Sequence, residues 1–451
     1  MDKFLKFFKL KENGTTVRTE IIAGITTFLA MAYILAVNPG YLEVAGIPKG
    51  AAFSATAISA GIATLCMAFF ANYPVALASG MGLNAFFAFT VCGAMGYSYQ
   101  VALTAVFLEG VIFMILSLFK FREALVNKIP NNLKFGITAG IGLFITIIAL
   151  INAKIVIPSA ATTIALGDLA SPAVVLALVG LIAIGVLEHY KVPGSILLGI
   201  IITWILGIIS ELVGWYVPDV ASGVYSVIPS FSADSFAAPL FFDFDFGFIA
   251  KNLPAFLIIM FTFLYTDIFD TVGTLIGVAA KGDLLDDEGK LPNASGALMA
   301  DAVGTVVGAC LGTSTVTSYV ESSAGVAAGG RTGLSSVVTG LLFFVSLILA
   351  PIFTAIPSFA TTPAMLYVGL LMLSSIKKVD FNADVADTIG AFLAIIMMPF
   401  TYSIANGIMF GMLAWVILKL LIGKVKEISG VMWISVALFV VYIILKVMGL
   451  A

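Results

Sequence analysis

Charge is what this sequence has least of. Only 10% of its 451 residues are Asp, Glu, Lys or Arg, against 61% hydrophobic, whereas a soluble domain carries about a quarter charged residues and roughly 45–50% apolar ones. An ordinary soluble enzyme is excluded. Histidine is nearly absent: His189 stands alone, so zinc sites and histidine-based nucleophilic triads lack their parts. Cysteine is scarce too. Cys66, Cys92 and Cys310 lie inside apolar segments with no partner at metal-ligand spacing and read as small packing residues. With a formal net charge of -3 and its basic residues confined to short connectors, the chain has no face that could neutralise a nucleic-acid backbone.

What the sequence does have is apolar length. The hydrophobic share, 61% of 451, is about 275 residues; at roughly 20 residues per transmembrane helix it supplies about 14 spans and leaves almost nothing for a soluble domain. The chain reads as an all-α polytopic membrane protein that is not an enzyme. Uncharged runs place segments near 21–38, 51–70, 76–92, 98–119, 133–152, 172–188, 193–213, 252–279, 294–312, 315–327, 333–354, 362–376, 386–402, 404–423 and 430–449. The last reads either as a fifteenth crossing or as a terminal helix against the bundle.

Basic connectors set the expected orientation. Lys3, Lys6, Lys9, Lys11 and Arg18 precede the first segment; Lys120, Arg122, Lys128 and Lys134 follow the fourth; Lys377 and Lys378 follow the twelfth; Lys424 and Lys426 follow the fourteenth. All fall on one side if every segment crosses, and that side is expected to be cytoplasmic, N-terminus included. The stretch Met1–Glu20, basic with Phe4, Leu5, Phe7, Phe8 and Leu10, reads as an interfacial amphipathic helix and not a cleaved signal. The long 214–250 connector, with Asp219, Asp234, Asp243 and Asp245 and a Phe-rich stretch, goes to the opposite side and is expected along the interface.

Two segments are too short and too rich in Gly, Ser and Thr to be plain spans: Pro74 to Asn84, and Gly312 to Gly325. Each reads as an extended stretch leading into a half-helix, which lipid tolerates only where protein or a water-filled cavity satisfies the backbone. They also mark a repeat. Thr27-Phe28-Leu29 matches Thr262-Phe263-Leu264, and Asn84 matches Glu321 at a nearly equal offset. Seven segments, an odd number, precede the long connector, so the second copy enters with opposite polarity. Interrupted segments at corresponding places of inverted halves point to a transporter's midplane site.

Ionisable residues within spans are costly and therefore candidates for function. Asp267 and Asp270 are three apart and are expected on one face of the eighth segment. Burial beside a like charge favours the protonated carboxyl, which suits proton coupling; the plainer alternative is an aspartate satisfying backbone freed by the broken helices. Glu321 is placed in the first turn of a half-helix, where orphan N–H groups and the dipole favour a carboxylate. A neutral heterocycle with N–H donors and carbonyl acceptors would complement it; a simple helix cap is the alternative. Asn84 offers a donor and an acceptor without charge. Phe263 and Tyr265 are the aromatic candidates at this level. Asp301, among small residues of the ninth segment, is expected to support the tenth, and Glu109 is as readily structural. Glu188, His189 and Glu211, at helix ends, are expected to be solvated or snorkelling.

Gly80-Met-Gly-Leu-Asn-Ala-Phe-Phe, Thr266-Asp-Ile-Phe-Asp-Thr-Val-Gly-Thr274, and Glu321-Ser-Ser-Ala-Gly325 with Gly329-Gly-Arg-Thr-Gly333 resemble the motifs of the AzgA-like purine permeases, the hypoxanthine/guanine/adenine branch of the nucleobase:cation symporters. The resemblance spans roughly residues 1–425. It implies fourteen segments in two inverted seven-helix repeats: core helices in 1–123 and 251–356, gate helices in 124–250 and 357–423, and an extra hydrophobic segment in 424–451. It implies proton-coupled purine uptake across the plasma membrane by displacement of core against gate, no cofactor besides the coupling ion, and a homodimer. Asn84, Asp267, Asp270 and Glu321 match positions that the family uses for purine binding or transport. Together with the reading of the residues, substrate binding is expected at Glu321, Asn84 and Asp267 with Phe263 and Tyr265, proton coupling at Asp270 or Asp267, and support at Asp301, Ser322 and Gly325.

Two rivals can be weighed on the residues. An intramembrane aspartyl protease needs aspartates on two facing helices, one in a Gly-x-Gly-Asp context, and Asp267 and Asp270 share one helix. An anion transporter or channel of the same architecture needs a neutral or positive site, which Glu321 opposes.

Overall fold

The computed structural model describes residues 7–118, 129–160, 162–218, 226–228, 236–282, 284–285 and 291–447. Lys3, Lys6, Lys120, Arg122, Lys128, Asp219 and Asp234, and the first six residues of the expected amphipathic helix, lie outside them. The described part of that stretch does not lie along lipid as one helix. Residues 8–14 are turns, and Phe8 is wholly buried against Ala68, Leu334 and Val337.

The first apolar run, Val17–Val44, is broken at Ala32 and Tyr33 into α1 (Val17–Met31) and α2 (Ile34–Val44). Thr16 caps α1 by accepting from the Thr19 N–H, as an N-cap hydroxyl should. Next come α3 (Lys49–Phe70), β1 (Leu77–Ser79) and the short α4 (Met81–Ala85), which a π-helical stretch, Phe86–Ala94, continues. Then follow α5 (Tyr99–Leu118), α6 (Asn131–Asn152), a hairpin of β2 (Val156–Ser159) and β3 (Thr163–Leu166), α7 (Pro172–His189) and α8 (Ser195–Leu212).

The second half runs α9 (Gly247–Lys251), α10 (Leu253–Lys281), α11 (Ala294–Leu311), β4 (Val316–Ser318), α12 (Ser322–Ala327) and α13 (Gly333–Ser346). After these come α14 (Ala350–Thr354), α15 (Ser358–Leu373), α16 (Val385–Phe400), α17 (Ile404–Leu421) and α18 (Gly430–Val447). Among the described residues, 10 helices are long and apolar enough to cross a membrane. The chain is a mostly helical, multi-pass membrane protein.

The halves are related by inversion. The strands β1 and β4 pair antiparallel, Ala78 opposite Thr317, so the third and tenth segments run in opposite directions at the centre of the bundle. Their outer edges are satisfied alike. Thr64 of α3 both donates to Leu77 O and accepts from Leu77 N, and Thr305 of α11 donates to Val316 O; a strand edge left open in lipid would cost several kcal/mol per group. The helix contacts repeat the symmetry: α3 on α13 is mirrored by α11 on α5, and α1 on α13 by α10 on α5. A second group shows the same exchange, α6 on α16 mirrored by α15 on α7, and α7 on α8 by α16 on α17.

The segment of open role, α18, packs against both α10 and α17 and turns Trp433, Ile434, Val441 and Ile444 outward. The connector before it is anchored by Lys419, whose ammonium donates to Asp384 Oδ2 at 2.8 Å and Glu427 Oε2 at 2.6 Å. Lys424 also donates to Asp384 Oδ2, at 2.7 Å. Hydrogen bonds from Lys419 and then Lys424 hold the Asp384 carboxyl well below the usual carboxylate range. A depressed folded-state pKa gives stability that is present above the unfolded carboxyl value, near 4, and is lost as pH falls through the folded one. Acidification below about pH 4 should therefore lower the thermal midpoint in part through this cluster, and Asp384→Asn should blunt that acid limb. A limb of unchanged slope in the variant would show that Asp384 contributes nothing to it.

Candidate functional site

The crossing of β1 and β4 aims two half-helices at the interior. Glu321 is the N-cap residue of α12, and its carboxylate is reached from the break in the first run: the Tyr33 hydroxyl donates to Glu321 Oε1 at 2.7 Å. Ser322 accepts from Ala76 N at 3.0 Å, pinning α12 to the strand opposite. At Gly325 the close approach of α1 leaves no room for a side chain; a methyl there would sit 2.6 Å from Ala23 O. These three residues fix where Glu321 points.

It points into a cavity of about 1540 Å³. Asp270 and Glu321 both line it, together with Thr26 and Ala30 of α1. Asp270, Thr274, Gly277 and Lys281 recur down one stripe of α10, the spacing of a helix face. Asp270 and Glu321 interact through their charges. Lysines from four different elements, Lys134, Lys191, Lys281 and Lys378, also line the cavity, and two of them, Lys134 and Lys378, belong to the basic connectors that define one side of the chain. The space thus reaches the basic side, with Glu321 on the half-helix and Asp270 on the α10 stripe.

Asp267 is elsewhere. Residues three apart on an α-helix are about 60° apart around its axis, and here that angle separates them: Asp267 is fully buried and is not among the cavity's lining residues. It meets Asp301 at one hydroxyl, with Thr271 Oγ1 lying 3.3 Å from Asp267 Oδ1 and 2.8 Å from Asp301 Oδ1. The same hydroxyl is 2.7 Å from Thr317 Oγ1, and Ser318 donates to Asp301 Oδ1 at 3.4 Å. Asp301 therefore braces β4 from α11.

The other expected residues scatter. Asn84 is fully buried and turned back on the crossing, donating to Ser79 O at 3.3 Å and accepting from the Ser314 hydroxyl. Its repeat partner Glu321 faces the cavity; Asn84 does not. Phe263 is buried edge-on to Phe86, ring centroids 4.9 Å apart. Tyr265, expected beside Glu321, instead meets Ser435 of α18 through its hydroxyl at 2.5 Å, because its side of α10 faces the terminal helix. Glu109 is buried in α5. Glu188 is not at an open helix end: it lines the cavity and accepts from Ser195 Oγ. Nor is Glu211 freely solvated, since it accepts from Ser226 Oγ at 2.6 Å and Val227 N at 2.8 Å. The connector's Asp243 accepts from Tyr99 at 2.8 Å, and Phe244 packs on Phe107, so this stretch docks on α5.

Two polar residues of the first run carry more than the sequence signalled. Glu20, buried in α1, accepts from Arg331 N at 2.8 Å and Ser335 N at 3.1 Å, taking up N-terminal donors around α13. The Arg331 guanidinium in turn donates to Val326 O and Gly330 O, which accounts for the Gly329-Gly-Arg-Thr-Gly333 run. Tyr33 is hidden in sequence because an aromatic in an apolar run reads as packing. Glu20 had a signal, a lone carboxylate at the start of an apolar run.

Comparison with known proteins matches this chain over residues 18–410 to the Permease family, Xan_ur_permease. It is 42% identical to the adenine permease AdeQ of Escherichia coli, over 98% of this chain and 96% of that one. To the guanine/hypoxanthine permease PbuG of Bacillus subtilis it is also 42% identical, over 97% of this chain and 99% of that one. Among solved structures, the transmembrane domain of the cyanobacterium bicarbonate transporter BicA superposes with a TM-score of 0.63 at 16% identity, covering 86% of this chain and 97% of the other. At that identity the likeness is one of fold.

Proposed function

This chain belongs to the permease family of Xan_ur_permease, and on that premise we propose that it imports purine nucleobases across the cell membrane in symport with protons, using no other cofactor. The observation that carries the reading is the cavity of about 1540 Å³ with Glu321 and Asp270 in its wall. Neutral hypoxanthine or guanine offers N–H groups to a carboxylate and a carbonyl oxygen to half-helix N–H groups, whereas an anion beside Glu321 and Asp270 would meet two carboxylates. Relatives described as adenine and guanine/hypoxanthine permeases support a purine, with hypoxanthine or guanine as the favoured cargo.

Coupling follows from the same pair. Two carboxylates in one cavity repel, and a proton on Asp270 relieves that repulsion, so proton and purine each favour the loaded state reciprocally. The fourteen segments then divide as core, 1–123 and 251–356, and gate, 124–250 and 357–423, with α18 as an addition. Alternating access is displacement of one against the other. With the lysine-lined end cytoplasmic, this conformation is inward-open.

The test is uptake of labelled hypoxanthine by cells lacking their own purine carriers, challenged with unlabelled purines, uracil and sulfate. Competition by purines alone, and collapse of uptake on adding a protonophore, are the expected results. Competition by sulfate would replace the reading with an anion carrier, and indifference to the protonophore would remove proton coupling.

A further inference from the structure

We infer that Tyr33 sets the preference among purines by occupying one oxygen of Glu321, an inference that rests on Glu321 being the purine's carboxylate. Tyr33 lies in the break between α1 and α2 as the N-cap residue of α2. It is 1% exposed, its hydroxyl donates to Glu321 Oε1 at 2.7 Å, and it is not among the residues lining the cavity. It therefore holds Glu321 from behind. Its ring lies 6.4 Å from that of Tyr319, and Tyr319 is itself tied through its hydroxyl to Ser79 O at 2.5 Å. A ring held on this side has little freedom to withdraw.

The consequence is a matter of donor count. A carboxylate accepts a bidentate pair when both oxygens are available to two parallel donors. Guanine presents such a pair along one edge, N1–H beside the exocyclic 2-amino group. Hypoxanthine presents N1–H alone. Tyr33 takes one of the two acceptor positions on Oε1. A second purine donor on that oxygen must therefore share it with the tyrosine and meets a weaker acceptor than a single donor does on Oε2, which disfavours guanine's paired edge in a desolvated site. Tyr33 is thus a positioning residue that favours the single-donor purine.

The experiment is equilibrium binding of hypoxanthine and guanine to the purified full chain and to its Tyr33→Phe variant. The variant keeps the ring and frees Oε1. The guanine-to-hypoxanthine affinity ratio should rise about tenfold, equivalent to about 1.4 kcal/mol, on top of any change the two affinities share; a merely structural role would weaken both purines together and leave the ratio unmoved. A fluorinated tyrosine at position 33 retains ring and hydroxyl as a stronger donor, and should move the ratio the opposite way. Wild-type binding with a ratio that neither replacement moves overturns the role of Tyr33. Failure of the wild type to bind either purine overturns the proposed function itself, and this inference with it.

Discussion

Glu321→Gln is expected to remove most purine binding from a chain that still folds. The hydrogen bond it removes is to a charged acceptor, worth about 1.5–3 kcal/mol, or roughly 10- to 150-fold in affinity. The geometry makes the loss larger. A glutamine has one acceptor oxygen where the carboxylate has two, and Tyr33 donates to this side chain at 2.7 Å, so the amide oxygen goes to Tyr33 and its NH₂ faces the cavity. A purine N–H would then meet a donor. Binding should fall by more than about a hundredfold, measured by titration with hypoxanthine, while the thermal midpoint and the elution volume stay near wild type, because Ser322 and Gly325 continue to seat α12. Near-native affinity in the variant would take Glu321 out of the site.

Asp270→Asn is expected to separate binding from accumulation. Asparagine keeps the size of the side chain and the stripe on α10 but has no proton to gain or lose. Each pH unit of gradient supports about 1.36 kcal/mol, about a tenfold accumulation for a one-proton symporter. The variant in proteoliposomes should equilibrate hypoxanthine without concentrating it, yet still exchange internal for external purine. Accumulation surviving this change would move the coupling proton elsewhere, and Asp267, which shares the Thr271 hydroxyl with Asp301, is the next carboxyl to test. Its full burial away from the cavity gives it a different access route for protons.

The sequence was most legible where it departed from its own composition. Two Gly/Ser/Thr-rich segments stood out from the apolar runs, and they are the crossed strands β1 and β4. Glu321 was readable as a candidate because the N-terminus of a half-helix favours a carboxylate. Tyr265 was misplaced because rotation of a helix about its axis is set by its neighbours. With α18 packed on α10, the residue expected beside the purine faces Ser435 instead. The same rotation divided Asp267 from Asp270, and Asn84 turned inward because Ser79 and Ser314 satisfy it.

Sequence alone determined the solvent, the helical multi-pass class and the inversion, since these follow from the sum of apolar length, from parity and from period. These are properties of a line of residues. Which carboxylates share a cavity, which tyrosine holds Glu321 and which face of α10 is wet were decided by the tertiary structure. The reason is that helix rotation and the approach of distant segments, such as Tyr33 to Glu321 or Glu20 to Arg331, depend on packing summed over the whole bundle, where no single residue carries the information.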